Sequence, residues 1–315
     1  MHVRRALDDL PTRRGRTVVT IGNFDGVHRG HRRVISAARD VAGGLGGLPV
    51  VAVTFDPHPF AVLRPEHAPM LLTTIERRAE LLQAAGVDEV LVVPFSRELA
   101  NWSPEEFVDR ILVGSLHAAA VVVGVNFRFG HRAAGNLATL TELGATADFR
   151  TVGVELDGGS QTWSSTYVRD CLHDGDVAGA AEALGRQFSV RGVVVEGDHR
   201  GQELGYPTAN VPVGRYAVPA DGVYAGWLRR ANEPEASDQP AAISVGSNPT
   251  FDGTERRVES YVLDRDDLDL YGVEVEVSFV AWLRGQVRFD SVDELRRQMS
   301  DDVARARAAL GVPAP

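Results

Sequence analysis

Four short apolar runs punctuate the first half of the chain: TVVTIG at 17–22, VVAVTF at 50–55, EVLVVP at 89–94 and AVVVGV at 120–125. Each is continuous rather than alternating, the pattern of a strand buried on both faces. Helix-start signals lie between them. Thr73 and Glu76 have capping-box spacing ahead of RRAELLQAAG, and Gly86 closes that pattern. Ser103-Pro104-Glu105-Glu106 offers a cap, a proline at the first helical position and a glutamate at the third. Buried strands separated by helices make a parallel sheet with right-handed crossovers. The spacing therefore predicts a doubly wound α/β domain.

Beyond residue 187 the period changes. Runs at 188–195, 223–229, 241–246, 257–264 and 272–283 read as antiparallel strands. In the last, Val273, Val275, Val277 and Phe279 alternate with Glu274, Glu276 and Ser278, so one face is wet. Such strands between Gly, Pro and Asp turns predict a small antiparallel β-barrel. A closing helix follows, capped by Ser291 and Glu294, with Val292, Leu295, Met299, Val303, Ala306 and Leu310 on one stripe. The expected division is 1–186 and 187–315, after a helix ending in LGR.

Composition narrows the chemistry. All 33 basic residues of the 315 are arginine, which excludes a P-loop lysine, a pyridoxal Schiff base and a lysine general base. Against them stand 43 acidic residues, a net charge of -10 that argues against non-specific nucleic-acid binding. The single cysteine, Cys171, excludes an intramolecular disulfide and a multi-cysteine zinc site. With no signal-like or membrane-length apolar segment, a cytoplasmic protein acting on small molecules is expected, with no nucleic-acid or membrane partner, as a monomer or weak homo-oligomer.

Two constellations carry candidate chemistry. The first strand runs through Gly22-Asn23-Phe24-Asp25-Gly26-Val27-His28-Arg29-Gly30-His31 into a helical stretch. Strand, glycine-rich turn and helix start aim backbone N–H groups at an anion. His28 and His31, three apart, share one side of the first turn and suit charge stabilisation at phosphorus. Gly30 leaves room for a phosphate to approach. Thr54-Phe55-Asp56-Pro57-His58-Pro59 and Gly124-Val125-Asn126 end other strands, and open parallel sheets bind ligands at strand C-terminal ends. Ser164-Ser165-Thr166-Tyr167-Val168-Arg169 puts hydroxyls and an arginine at a helix start, a second anion site. In the second half, Gly197, Gly201 and Gly205 suit a loop whose backbone approaches a triphosphate without a lysine. Thr208 and Asn210, two apart on an extended segment, are a pair of hard oxygen ligands for Mg²⁺.

The string GNFDGVHRGH, built on the H-x-G-H signature of nucleotidyltransferases, resembles the adenylyltransferase module of bacterial bifunctional riboflavin kinase/FAD synthetase. LGYPTANV resembles the riboflavin kinase motif. The resemblance covers 17–310, with the motifs in the family's order. It implies a nucleotidyltransferase-like sheet domain and a riboflavin-kinase-like barrel. The barrel would make FMN from riboflavin and ATP with Mg²⁺, and the sheet domain would make FAD from FMN and a second ATP. Gly22, Phe24, Gly30, Phe55, His58 and Asn126 would then line the flavin and nucleotide cleft, with His28 and His31 catalytic. The resemblance assigns Ser165, Thr166 and Arg169 to the ATP phosphates, and Thr208 and Asn210 to the metal. Asn126 stands where relatives commonly have Asp, and Thr162 where some have Arg. Asn248, in the N-P-T-F turn, joins the kinase site. From pattern alone Glu259 is an outward-facing strand residue; its place in the family motif makes it the general base. Arg284 either binds flavin or nucleotide phosphates or forms a salt bridge to the closing helix. Two rivals stand beside this reading: transfer to another phosphorylated acceptor, and a flavin- or nucleotide-binding regulator without catalysis.

Overall fold

The computed structural model describes residues 3–9, 15–155, 163–197, 205–233, 237–247 and 256–313. By contacts the chain forms two compact units, one of residues 1–69 and 73–164, the other of 70–72 and 165–315.

The first unit contains β1 (Val3–Arg4), β2 (Thr17–Ile21), α1 (Arg29–Gly44), β3 (Val50–Asp56), α2 (Pro59–Leu63), α3 (Ile75–Ala84), β4 (Glu89–Pro94), α4 (Pro104–Phe107), β5 (Ala118–Gly124), α5 (Leu137–Thr146) and β6 (Arg150–Val154). The six strands are all parallel, in the order β1-β4-β3-β2-β5-β6. Successive strand residues feed two cores. Val18, Ala52, Val90, Val92 and Val122 face α1 and α3, while Val19, Ile21, Val51, Val53, Leu91 and Val121 face the other layer. That is why the runs read as continuous: both pleat faces are dry. Strand order reverses between β2, which continues to β3, and β5, so the switch point lies where these neighbours end.

Two local expectations change. Ser103 and Glu106 do form a reciprocal capping box, but α4 passes at Val108 into a π-helix through Ser115. At α3 the cap is Thr74, whose hydroxyl accepts from Arg77 N–H at 3.1 Å, not Thr73. The Thr73 hydroxyl is committed elsewhere, to Asp25.

The second unit contains α6 (Ser165–His173), α7 (Val177–Leu184), β7 (Phe188–Val193), β8 (Ala209–Pro212), β9 (Gly222–Arg230), β10 (Gln239–Ser247), β11 (Arg256–Val262), β12 (Glu274–Gly285) and α8 (Val292–Leu310). Its strands form an antiparallel sheet in the order β7-β12-β9-β10-β11-β8. Val195, just past β7, donates to the Asn210 carbonyl of β8 at 2.9 Å, nearly closing the barrel. In β12 Val275, Val277 and Phe279 are fully buried as expected, but the other face is not wet throughout: Glu276 is also buried, held by Ser189 and Arg229. On α8 the stripe is displaced at its start: Val292 is exposed, whereas Asp302 and Ala306 are buried. The contact division falls between Ser164 and Ser165, upstream of the expected 186/187. The reason is that α7 packs against β7 and β12, and the α6 residue Leu172 accepts from Ala220 N–H at 2.8 Å.

Candidate active sites

In the first unit the site is built by the turn that follows β2. A side chain at Gly22 would sit 3.3 Å from the Phe24 ring. Phe24 and Val27 have φ of 49° and 44°, the left-handed region that costs an L-residue about 1–2 kcal/mol each. Val27 is β-branched and fully buried, so this turn is held against its own preference. It delivers His28 as the N-cap of α1, with Nδ1 accepting from His31 N–H at 3.4 Å. A neutral His28 ring therefore carries its proton on Nε2, a donor for an anion. The two imidazoles stack, centroids 3.6 Å apart at 25°, and Phe24 meets His31 edge-on at 5.1 Å.

Burial, then the neighbouring His28, then the Arg78 guanidinium hold the His31 pKa well below the usual 6.5. Its Nδ1 is buried without a hydrogen-bond partner among the described residues, a deficit that a polar ligand would meet. Gly30 is also required by its neighbours in the fold. A Cβ there would lie 3.0 Å from the His28 ring and 3.1 Å from the Trp163 carbonyl, so the glycine makes room for the catalytic candidate itself. His58 caps α2, its Nδ1 accepting from Phe60 N–H at 3.2 Å, and the Asn23 amide lies 3.2 Å from its Nε2. That contact joins the ends of β2 and β3. Phe55 is half-buried against Phe95, and Asn126 is exposed in the turn after β5, where Phe127 N–H donates to the Gly124 carbonyl.

In the second unit the site follows from strand register. Glu259 on β11 lies directly opposite Asn210 on β8 and Ser244 on β10, so the three share a face. Asn210 is 6% exposed, and its amide Nδ2 donates to the Thr208 carbonyl at 3.2 Å and lies 3.5 Å from Thr208 Oγ1. Gly197 is required here, since a Cβ would fall 2.5 Å from that amide. Gly205 has φ 86°, which favours glycine for its backbone alone. Beside Thr208 an open cleft is lined by Pro207, Ser260, Arg265, Leu270 and Tyr271. Asp266 is a carboxylate of that cleft, and Glu259 is the carboxylate on the strand face that carries Asn210.

Across the whole chain, residues 10–167 match the family described as FAD synthetase, and residues 184–310 match riboflavin kinase. The chain belongs to the bifunctional riboflavin kinase/FMN adenylyltransferase family. It is 38% identical over 313 residues to the bifunctional riboflavin kinase/FMN adenylyltransferase of Pseudomonas fluorescens, covering 98% of this chain and 97% of that protein. To the same-named protein of Escherichia coli strain K12 it is 36% identical over 300 residues, 95% and 94% of the two chains. A crystal structure described as a macrolide-efflux protein from Streptococcus pneumoniae has a TM-score of 0.85 and 32% identity over 97% of this chain and 98% of that one. No described helix here is long and apolar enough to cross a membrane. The protein is thus an enzyme of flavin cofactor biosynthesis, its adenylyltransferase family match preceding its kinase match.

Within this family the remaining candidates fall into three groups. Ser165, Thr166 and Arg169 belong by contacts to the second unit, where Arg169 Nε donates to the Met70 carbonyl at 2.6 Å. Arg284 takes the salt-bridge alternative: its Nε and Nη2 hold both Asp302 oxygens on α8 at 2.6–3.1 Å. Gly201, Asn248 and Thr162 lie outside the described residues. The sequence pattern missed Asp25, Thr73 and Arg78, which form one buried cluster behind the histidine turn. A signal was present. Arg78 occupies the apolar stripe of α3 between Ile75 and Leu82, where a cation needs a buried partner.

Proposed function

We propose that the second unit transfers the γ-phosphoryl group of ATP to the 5′-hydroxyl of riboflavin. The first unit then joins the FMN so formed to the AMP part of another ATP, releasing pyrophosphate. The observation that carries this assignment is the β8–β11 register, which sets Glu259 opposite Asn210, with Thr208 just before β8 and bonded through its carbonyl to the Asn210 amide. Glu259 accepts the proton of the riboflavin hydroxyl as that oxygen attacks.

The residues fit a magnesium ion. Thr208 supplies a hydroxyl, and the Asn210 amide presents its oxygen 3.5 Å from that hydroxyl once turned about its last bond, a turn that exchanges its hydrogen bond to the Thr208 carbonyl for the cation. Neighbouring oxygens of an octahedral Mg²⁺ site stand about 3 Å apart. No cluster of three His, Cys, Asp or Glu side chains suited to a metal occurs among the described residues, which agrees with an ion that keeps waters and substrate phosphates as ligands. When bound, Mg²⁺ would neutralise charge on the phosphates.

In the first unit the FMN phosphate attacks the α-phosphorus directly, so no covalent enzyme intermediate is needed. His28 and His31 stabilise charge on the α-phosphate oxygens, and the orphaned His31 Nδ1 supports this role. Phe55, His58 and Asn126 belong to the flavin and nucleotide cleft. Assignment of Ser165, Thr166 and Arg169 to the departing phosphates, and of Gly201 and Asn248 to the kinase site, rests on the family pattern alone. The net charge of -10 supports small-molecule substrates, no nucleic-acid partner and action in the cytoplasm as a monomer or weak homo-oligomer. The test is product analysis with riboflavin and Mg-ATP. Glu259→Ala should yield FAD only when FMN is supplied, and His28→Ala/His31→Ala should accumulate FMN. Wild-type phosphorylation by Glu259→Ala would remove the base assignment.

A further inference from the structure

Behind the histidine turn lies a buried ion pair that the roles of His28 and His31 do not use. Arg78 is 3% exposed and Asp25 1%. The Arg78 guanidinium donates to Asp25 Oδ1 at 3.3 Å, to Thr73 Oγ1 at 3.4 Å and to Thr54 Oγ1 at 3.4 Å. The Thr54 hydroxyl passes its own proton to the Asn23 carbonyl at 3.0 Å. The Thr73 hydroxyl donates to Asp25 Oδ1 at 3.1 Å and accepts from Gly26 N–H at 3.3 Å. Each hydroxyl thus gives one proton and receives at least one, and the set is internally consistent. One planar cation pins the turn at residues 23, 25 and 26.

We propose that Arg78 is a positioning residue for adenylyl transfer: through Asp25, Thr54 and Thr73 it holds the Asn23–Val27 turn in the left-handed conformation that presents His28 and His31 to phosphate. The inference rests on reading those two histidines as the phosphate cradle. An apolar pair would hold a helix against a sheet at lower desolvation cost, so a buried ion pair here implies a need for direction. Guanidinium supplies it, because its fixed fork reaches three oxygens where an ammonium would reach fewer. The turn needs such restraint. Phe24 and Val27 both have positive φ, and Phe24 is the residue whose ring abuts His31. Released, the turn relaxes toward negative φ and carries Phe24 away from the imidazole.

The test uses the full chain, which assays both reactions in one protein. Arg78→Lys keeps the charge and loses the fork. Thr54→Val removes the hydroxyl that joins Arg78 to the Asn23 carbonyl, cutting both of its hydrogen bonds, and Thr54→Ser restores them. For Arg78→Lys, kcat for FMN adenylylation should fall about 100-fold, the cost of a small misplacement at a reacting centre. Riboflavin phosphorylation should stay at the wild-type rate, since the kinase site is untouched, and KM for FMN should change far less than kcat, since Phe24 is the one cleft residue that the turn would displace. Thr54→Val should lose about tenfold in the same kcat, with Thr54→Ser near wild type. Wild-type kcat in both Arg78→Lys and Thr54→Val overturns the proposal. So does a loss that merely equals the fraction of unfolded first unit in thermal unfolding. His28→Ala/His31→Ala run alongside separates the two ideas. If that variant adenylylates FMN normally, the cradle reading falls. If it is inactive while Arg78→Lys is fully active, only the role of Arg78 falls.

Discussion

His28 and His31 owe their position to a turn with two left-handed non-glycine residues, whereas Glu259 and Asn210 owe theirs to the register of antiparallel strands. The first arrangement stores backbone strain and has a buried cation behind it. The second needs only that period 2 be kept along β8 and β11. In the first unit, precision is imposed from outside the site, by residues on α3 and on the segment before it. In the second, the sheet hydrogen bonds that make the barrel also set the site. Strain-held sites should therefore respond to remote substitutions that leave a register-held site untouched.

Glu259→Ala gives the largest separation. Riboflavin phosphorylation should drop by about 10²–10⁴-fold, the range for loss of a general base, with FMN adenylylation intact. Chromatographic quantitation of FMN and FAD reads both at once. His28→Ala/His31→Ala should mirror it, with adenylylation lower by about 10²–10³-fold and phosphorylation unchanged. A parallel loss of both activities in either variant would mean that the two sites are not independent.

Arg284 sharpens the comparison from the stability side. It is bidentate to Asp302, and both side chains are largely buried. Arg284→Ala should destabilise the second unit by about 3–5 kcal/mol, the effect of breaking a buried pair, without changing KM for ATP in the kinase reaction. A raised KM at unchanged melting temperature would return Arg284 to phosphate binding.

The smallest effect concerns pH. His31 is neutral in the folded protein because burial, His28 and Arg78 depress its pKa. Below about pH 6.5 the unfolded chain takes up a proton there and the folded chain does not. Stability of the first unit should thus fall as pH drops from 6.5 toward the folded pKa, by up to about 1.4 kcal/mol per pH unit. Urea unfolding at pH 7 and pH 5.5 should show the change, and His31→Gln should flatten it.

Much of this was legible in the chain. Continuous apolar runs announced the parallel strands, and the Val-Glu alternation announced β12. The spacing of the two histidines puts them side by side, and they stack, whereas Asn210 turns its nitrogen rather than its oxygen toward Thr208. Other features depended on tertiary partners. β6 (RTVGV) and β8 (ANVP) are too short and too mixed to declare themselves, and become strands only by pairing with β5 and β11. Thr73 had the right spacing for a helix cap, but Asp25, 48 residues away in sequence, takes its hydroxyl. That Gly30 also makes room for His28 and the Trp163 carbonyl shows only in the folded turn.

Three residues of the amino-terminal half, Met70–Leu72, belong by contacts to the carboxy-terminal unit. Leu71 bonds there on both sides, its N–H to the Arg215 carbonyl at 3.0 Å and its carbonyl to Ala217 N–H at 2.8 Å. No single cut of the gene therefore yields both pieces whole. A fragment encoding only the carboxy-terminal residues lacks this tie, which is laid down by codons far upstream.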